Sequence, residues 1–120
     1  MRRTLILAVT LLVAALSLTA CSEDTAPSGS AGGSGTTVDI TIKDGKVTPN
    51  GDRVEVEVGD TVTLNIDSDV SGEIHVHSTP EQEIEFDKGT STKTLTIDQP
   101  GIVDVEDHAL EQVIVQLQVS

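Results

Sequence analysis

Two of the chain's three histidines stand two residues apart, in the run Glu73-Ile74-His75-Val76-His77. In an extended segment alternate side chains share a face, and the Cα atoms of such a pair lie about 6.6 Å apart, twice the strand rise of about 3.3 Å. Two imidazoles at that spacing can converge on one ion while Ile74 and Val76 turn toward a core. Neutral imidazoles joined by a carboxylate or water suit Cu(II) or Zn(II), whereas Cu(I) prefers sulfur. An imidazole with a reference pKa of about 6.5 must lose its proton to ligate, so such binding weakens below about pH 6 and loading releases protons. The same pair on an exposed strand also makes a pH-sensitive patch, whose protonation relieves repulsion among nearby carboxylates.

The charge balance agrees with a cation as guest. Twenty Asp and Glu stand against seven Lys and Arg, a net charge of −13. Phosphate backbones need a basic surface and unstacked bases need aromatic platforms, yet Phe86 is the only Phe, Tyr or Trp in the chain. Nucleic acid is therefore not expected as a partner, and much of the acidity serves solubility. Nor is catalysis expected. The sequence has no nucleophile-elbow motif and no glycine-rich phosphate loop. A paired-carboxylate hydrolase would need a cleft, which a small sheet domain rarely supplies.

The N-terminus speaks to location. Met1-Arg2-Arg3 precedes an apolar stretch from Leu5 to Leu18, the arrangement of a secretory signal and shorter than the roughly 20 residues a membrane-spanning helix needs. Leu18-Thr19-Ala20-Cys21 resembles a bacterial lipobox. The resemblance implies cleavage before Cys21, a diacylglycerol on its thiol, and a mature chain held to the extracytoplasmic face of the cell membrane by lipid. Residues 1–20 are then the signal. The Ser- and Gly-rich stretch 21–35 has too little apolar surface to fold and reads as a flexible tether. Residues 36–120 form one domain. With Cys21 the only cysteine, no disulfide supports it.

Within 36–120 apolar residues alternate with polar ones in short segments separated by turn residues, the pattern of an all-β sandwich or barrel. Val38-Asp39-Ile40-Thr41-Ile42 is followed by Asp44-Gly45, and Val54-Glu55-Val56-Glu57-Val58 by Gly59-Asp60. Further segments run Val62 to Ile66, Ile74 to His77, Ile84 to Phe86, Leu95 to Ile97, Ile102 to Val105 and Val113 to Val119. This predicts about eight strands and a core of Val, Ile and Leu. The stretch from His108 to Gln112 could form a short helix.

Val54-x-Val56-x-x-Gly59-Asp60-Thr61-Val62, Pro100-Gly101-Ile102-Val103-Asp104-Val105 and the closing Val113–Val119 together resemble the cupredoxin family, in order and spacing, over essentially all of residues 36–120. The resemblance implies a Greek-key β-sandwich. It also implies a first histidine ligand at His75 or His77 and a ligand loop before the last strand, where His108 lies. Where the family's blue-copper cysteine is expected, this chain carries Glu106 and Asp107, and its only methionine is Met1. A copper–thiolate bond makes the blue, electron-transferring site, so that function is not expected. The closer likeness is to cupredoxin-like domains of exported, lipid-anchored bacterial proteins, which implies copper or iron handling. If the sandwich brings the final loop beside the His-x-His strand, His108 completes a three-nitrogen site with His75 and His77, and Glu106, Asp107 or Glu111 adds an oxygen. The competing expectation is a metal-free module that docks another envelope protein through a sheet edge or loop face, the acidic surface choosing a basic partner.

Overall fold

The computed structural model describes residues 35–120. The expected signal, the lipidated Cys21 and the tether as far as residue 34 lie outside the described residues. Nine strands follow one another: β1 (Thr36–Lys43), β2 (Lys46–Thr48), β3 (Asp52–Val56), β4 (Thr61–Ser68), β5 (Gly72–Val76), β6 (Gln82–Phe86), β7 (Gly89–Thr96), β8 (Gly101–Asp107) and β9 (Gln112–Val119). No helix occurs among the described residues, and His108 to Glu111 form a turn. The strand beyond the expected eight is β2, three residues long and too short for its alternation to show in the sequence.

The strands form a four-stranded sheet, β2-β1-β4-β7, and a five-stranded sheet, β3-β9-β8-β5-β6. Strands adjacent in sequence often belong to different sheets, and β8 lies against β5 rather than β7, which makes the sandwich a Greek key. Two pairs, β1 with β4 and β3 with β9, run parallel.

Local chemistry explains the turns that close this path. The β1–β2 hairpin has Asp44 at φ 53° and Gly45 at φ 71°, the two positive φ values a type I′ turn requires and that Asp-Gly tolerates. Val58 departs from the expected inward row and is 43% exposed. A turn starts one residue earlier, with Asp60 N–H donating to the Glu57 carbonyl and Gly59 at φ 83°, so the alternation ends at Val56.

The core lies between the sheets and is built from Val, Ile and Leu with Phe86 as its one aromatic ring. Ile40, Leu64, Ile66, Ile74, Val105, Ile114 and Leu117 are all within 2% of full burial. All but Ile114, which a bulge in β9 turns inward beside Val115, come from the inward row of an alternating strand, so removing that apolar surface from water fixes which face their polar neighbours occupy. On the four-stranded sheet the outward row includes Lys43, whose ammonium donates to Asp67 Oδ2 at 2.6 Å. That hydrogen bond, and then the carboxylate's charge, raise the lysine above its ordinary value.

Candidate metal centre

Burial of Ile74 and Val76 in β5 turns Glu73, His75 and His77 outward on the opposite face. Burial of Val103 and Val105 in β8 does the same for Asp104 and Glu106. The antiparallel β5–β8 register sets His75 opposite Glu106. It is extended at both ends by the His108 N–H to Glu73 carbonyl bond and the His77 N–H to Asp104 carbonyl bond. On the other flank, β6 sets Glu85 opposite Glu73 and Glu83 opposite His75. The outer face of the sheet is therefore a grid, with Glu85, Glu73 and His108 in one row and Glu83, His75 and Glu106 in the next. All three histidines lie within it among carboxylates.

Side-chain geometry divides the grid. The rings of His75 and His108 lie 4.5 Å apart between centroids, tilted by 35°. With Glu73 they form a group whose ligand atoms all lie within 4.8 Å of one another. His75 Nε2 is 3.1 Å from Glu73 Oε1 and 3.3 Å from Glu83 Oε1. The His77 ring is 6.2 Å from that of His75 and nearly perpendicular to it. Its Nε2 meets Glu106 Oε2 at 3.0 Å and its Nδ1 faces Glu81 Oε1 at 3.8 Å. Of the residues expected to form one site, the fold gathers His75 and His108, with the Glu73 carboxylate beside them, and sets His77 and Glu106 alongside as a separate pair.

His108 owes its position to its neighbours in the turn. Asp107 is 3% exposed, and its Oδ1 accepts the Leu110 N–H at 2.8 Å. This is a side chain closing a turn that the backbone alone leaves open. Leu110 packs against the core, and Glu111 takes φ 53°, bringing the chain back into β9. A bulge where Val105 and Glu106 face Val115 and Val113 leaves Ile114 as the extra residue of β9. Such a bulge sharpens the local twist next to the His108 turn. Asp107 is thus an inward structural group, and Glu111 is exposed outside the cluster.

Glu73 and Glu83 carry no motif of their own. The signal for them is the spacing Glu73-x-His75-x-His77, which repeats as Glu81-x-Glu83-x-Glu85 after the Thr79-Pro80 turn. Two alternating segments joined by a turn place their polar rows side by side.

The cluster borders an open cleft of about 540 Å³ lined by Gly72, Glu73, Glu85, Asp87 and His108. An ion held by Glu73, His75 and His108 at the edge of this cleft would keep access to water. Two imidazoles and a carboxylate are a donor set for Zn(II) or Cu(II), and no residue of the described domain supplies a thiolate or thioether.

The sandwich has a cupredoxin-like fold. Solved structures with this arrangement include a copper(I) form of a methionine-to-alanine variant of amicyanin, 18% identical, covering 70% of this chain and 82% of that one with a TM-score of 0.52. The reduced copper(I) form at pH 4 of a proline-to-glycine variant of amicyanin is 17% identical, covers 76% and 87%, and also scores 0.52. No protein-family model matches the chain, and no curated protein is significantly similar to it in sequence.

Proposed function

We propose that this protein is an extracytoplasmic lipoprotein whose cupredoxin-like domain binds a divalent ion, Zn(II) or Cu(II), through Glu73, His75 and His108. The observation that carries the reading is the convergence of those three ligand atoms, two from strand β5 and one from the turn after its neighbour β8, within 4.8 Å. The basic start, apolar run and Leu18-Thr19-Ala20-Cys21 support anchoring through Cys21. The function is not blue-copper electron transfer, because a thiolate is what that site is built on. Ligands borne on an exposed sheet face, open to water, suit reversible loading of an ion rather than its permanent enclosure. No catalytic step is assigned.

The test is calorimetric titration of the full chain in detergent with Zn(II) and with Cu(II) at neutral pH. Saturable binding to the wild type and its loss in His108→Ala support the reading. Absence of heat and of any thermal shift removes it. Metal at a hundredfold excess over its dissociation constant raises stability by about 2.7 kcal/mol through mass action.

A further inference from the structure

His75 Nε2 has a carboxylate oxygen on each of two sides, Glu73 Oε1 at 3.1 Å and Glu83 Oε1 at 3.3 Å. An imidazole nitrogen carries one hydrogen or one lone pair, so it cannot satisfy both. A divalent ion can. Ligand atoms about 2.0–2.1 Å from a tetrahedral ion stand about 3.3 Å from one another, close to the spacing this nitrogen already has to each oxygen. Glu83 lies outside the tight Glu73–His75–His108 group, but its side chain is 66% exposed and its Oε1 already reaches His75 Nε2.

Building on the metal reading above, we infer that Glu83 is a fourth protein ligand, so that the bound ion joins β6 to β5 and to the turn after β8. This gives the ion a mechanical role. β6 is an edge strand, bonded along one side only, to β5. Its remaining anchors are half-buried Ile84, buried Phe86 and, at its start, the Gln82 side-chain amide, which donates to the Thr96 carbonyl and to Ser78 Oγ. An ion ligated by Glu83 resists detachment of that strand, and by reciprocity the factor by which Glu83 tightens metal binding equals the factor by which metal suppresses opening of β6.

Zn(II) affinity and amide hydrogen exchange of the full chain test this together. Glu83→Gln is expected to weaken Zn(II) binding about tenfold, in the range set by losing one supporting group at a metal site. Glu85→Gln removes the same charge from the same strand and face, and is expected to have at most a threefold effect, about the size of a screened surface charge. In the wild type Zn(II) slows exchange across Gln82–Phe86 by the factor that Glu83→Gln removes from affinity, and in Glu83→Gln this added protection is lost. Unchanged affinity in Glu83→Gln, with His75→Ala already non-binding, overturns the inference and leaves the three-residue site standing. Equal losses in Glu83→Gln and Glu85→Gln also overturn it, by reducing the effect to charge. A wild type that binds no Zn(II) defeats the underlying metal reading instead.

Discussion

Gly72 begins β5 opposite Phe86, and a methyl group there decides whether the β5–β6 register is held as described. A Cβ built on Gly72 falls 2.7 Å from Phe86 Cζ, 3.2 Å from Cε1 and 3.4 Å from Cε2. The ring tip therefore occupies the space a side chain would take. The ring is buried at 3% exposure in a close-packed core, where forced displacement costs about 1–3 kcal/mol. Gly72 has no positive φ, so alanine fits the backbone and recovers about 0.4–1 kcal/mol from the unfolded chain. The net expectation for Gly72→Ala is a loss of about 1–2 kcal/mol, worth roughly 4–16 °C in Tm for a domain of this size. Urea unfolding and calorimetry of the metal-free chain measure it. Because the cost is steric, adding Phe86→Leu should make the double variant more stable than the sum of the single changes predicts. Gly72→Ala as stable as the wild type, or strict additivity, would refute the reasoning and with it the ring-over-glycine contact that aligns Glu83 with His75.

Three other outcomes are expected. Asp107→Ala leaves the Leu110 N–H without its partner and lowers stability by about 1–3 kcal/mol. It also weakens Zn(II) binding through the freed His108 turn, which denaturation and titration of the same sample separate. Zn(II) affinity falls as the pH is lowered, since protons compete for imidazole nitrogens and neutral rings are what bind; calorimetry in buffers of different ionisation enthalpy should show proton release on loading. Cys21→Ala abolishes incorporation of labelled fatty acid and frees the protein from the membrane fraction, while unchanged labelling would remove the lipid anchor from the functional reading.

Much of the fold was legible because its information is periodic. Val62, Leu64 and Ile66 alternate strictly and are all buried, as are Ile74 and Val76 on either side of His75. The departures occur where a local contact outweighs that period. Val58 is lost to a turn, β2 is too short to show a pattern, and His108 to Glu111 form a turn rather than the expected short helix, with Asp107 capturing the Leu110 amide. The metal candidates were legible as residue types, two histidines on one strand face and a third in the last loop. Their partners were not singled out: Glu73 and Glu83 are two of many acids in a strongly acidic chain, and the repeated alternate spacing around them says only that their rows can lie side by side, not which acid meets which histidine.

The sequence by itself determined that the domain is all β, that His75 and His77 share an outward face, and that the described domain has no sulfur ligand. These follow from alternation and composition, properties of one segment at a time. Only the tertiary structure decided which carboxylate meets which histidine. Pairing of β5 with β8 brings together residues more than thirty positions apart, His75 and His108 among them, and register fixes their partners to the residue. A slip of one position would turn each acid to the other face, so the site is set by cooperative burial of the core rather than by the site's own residues.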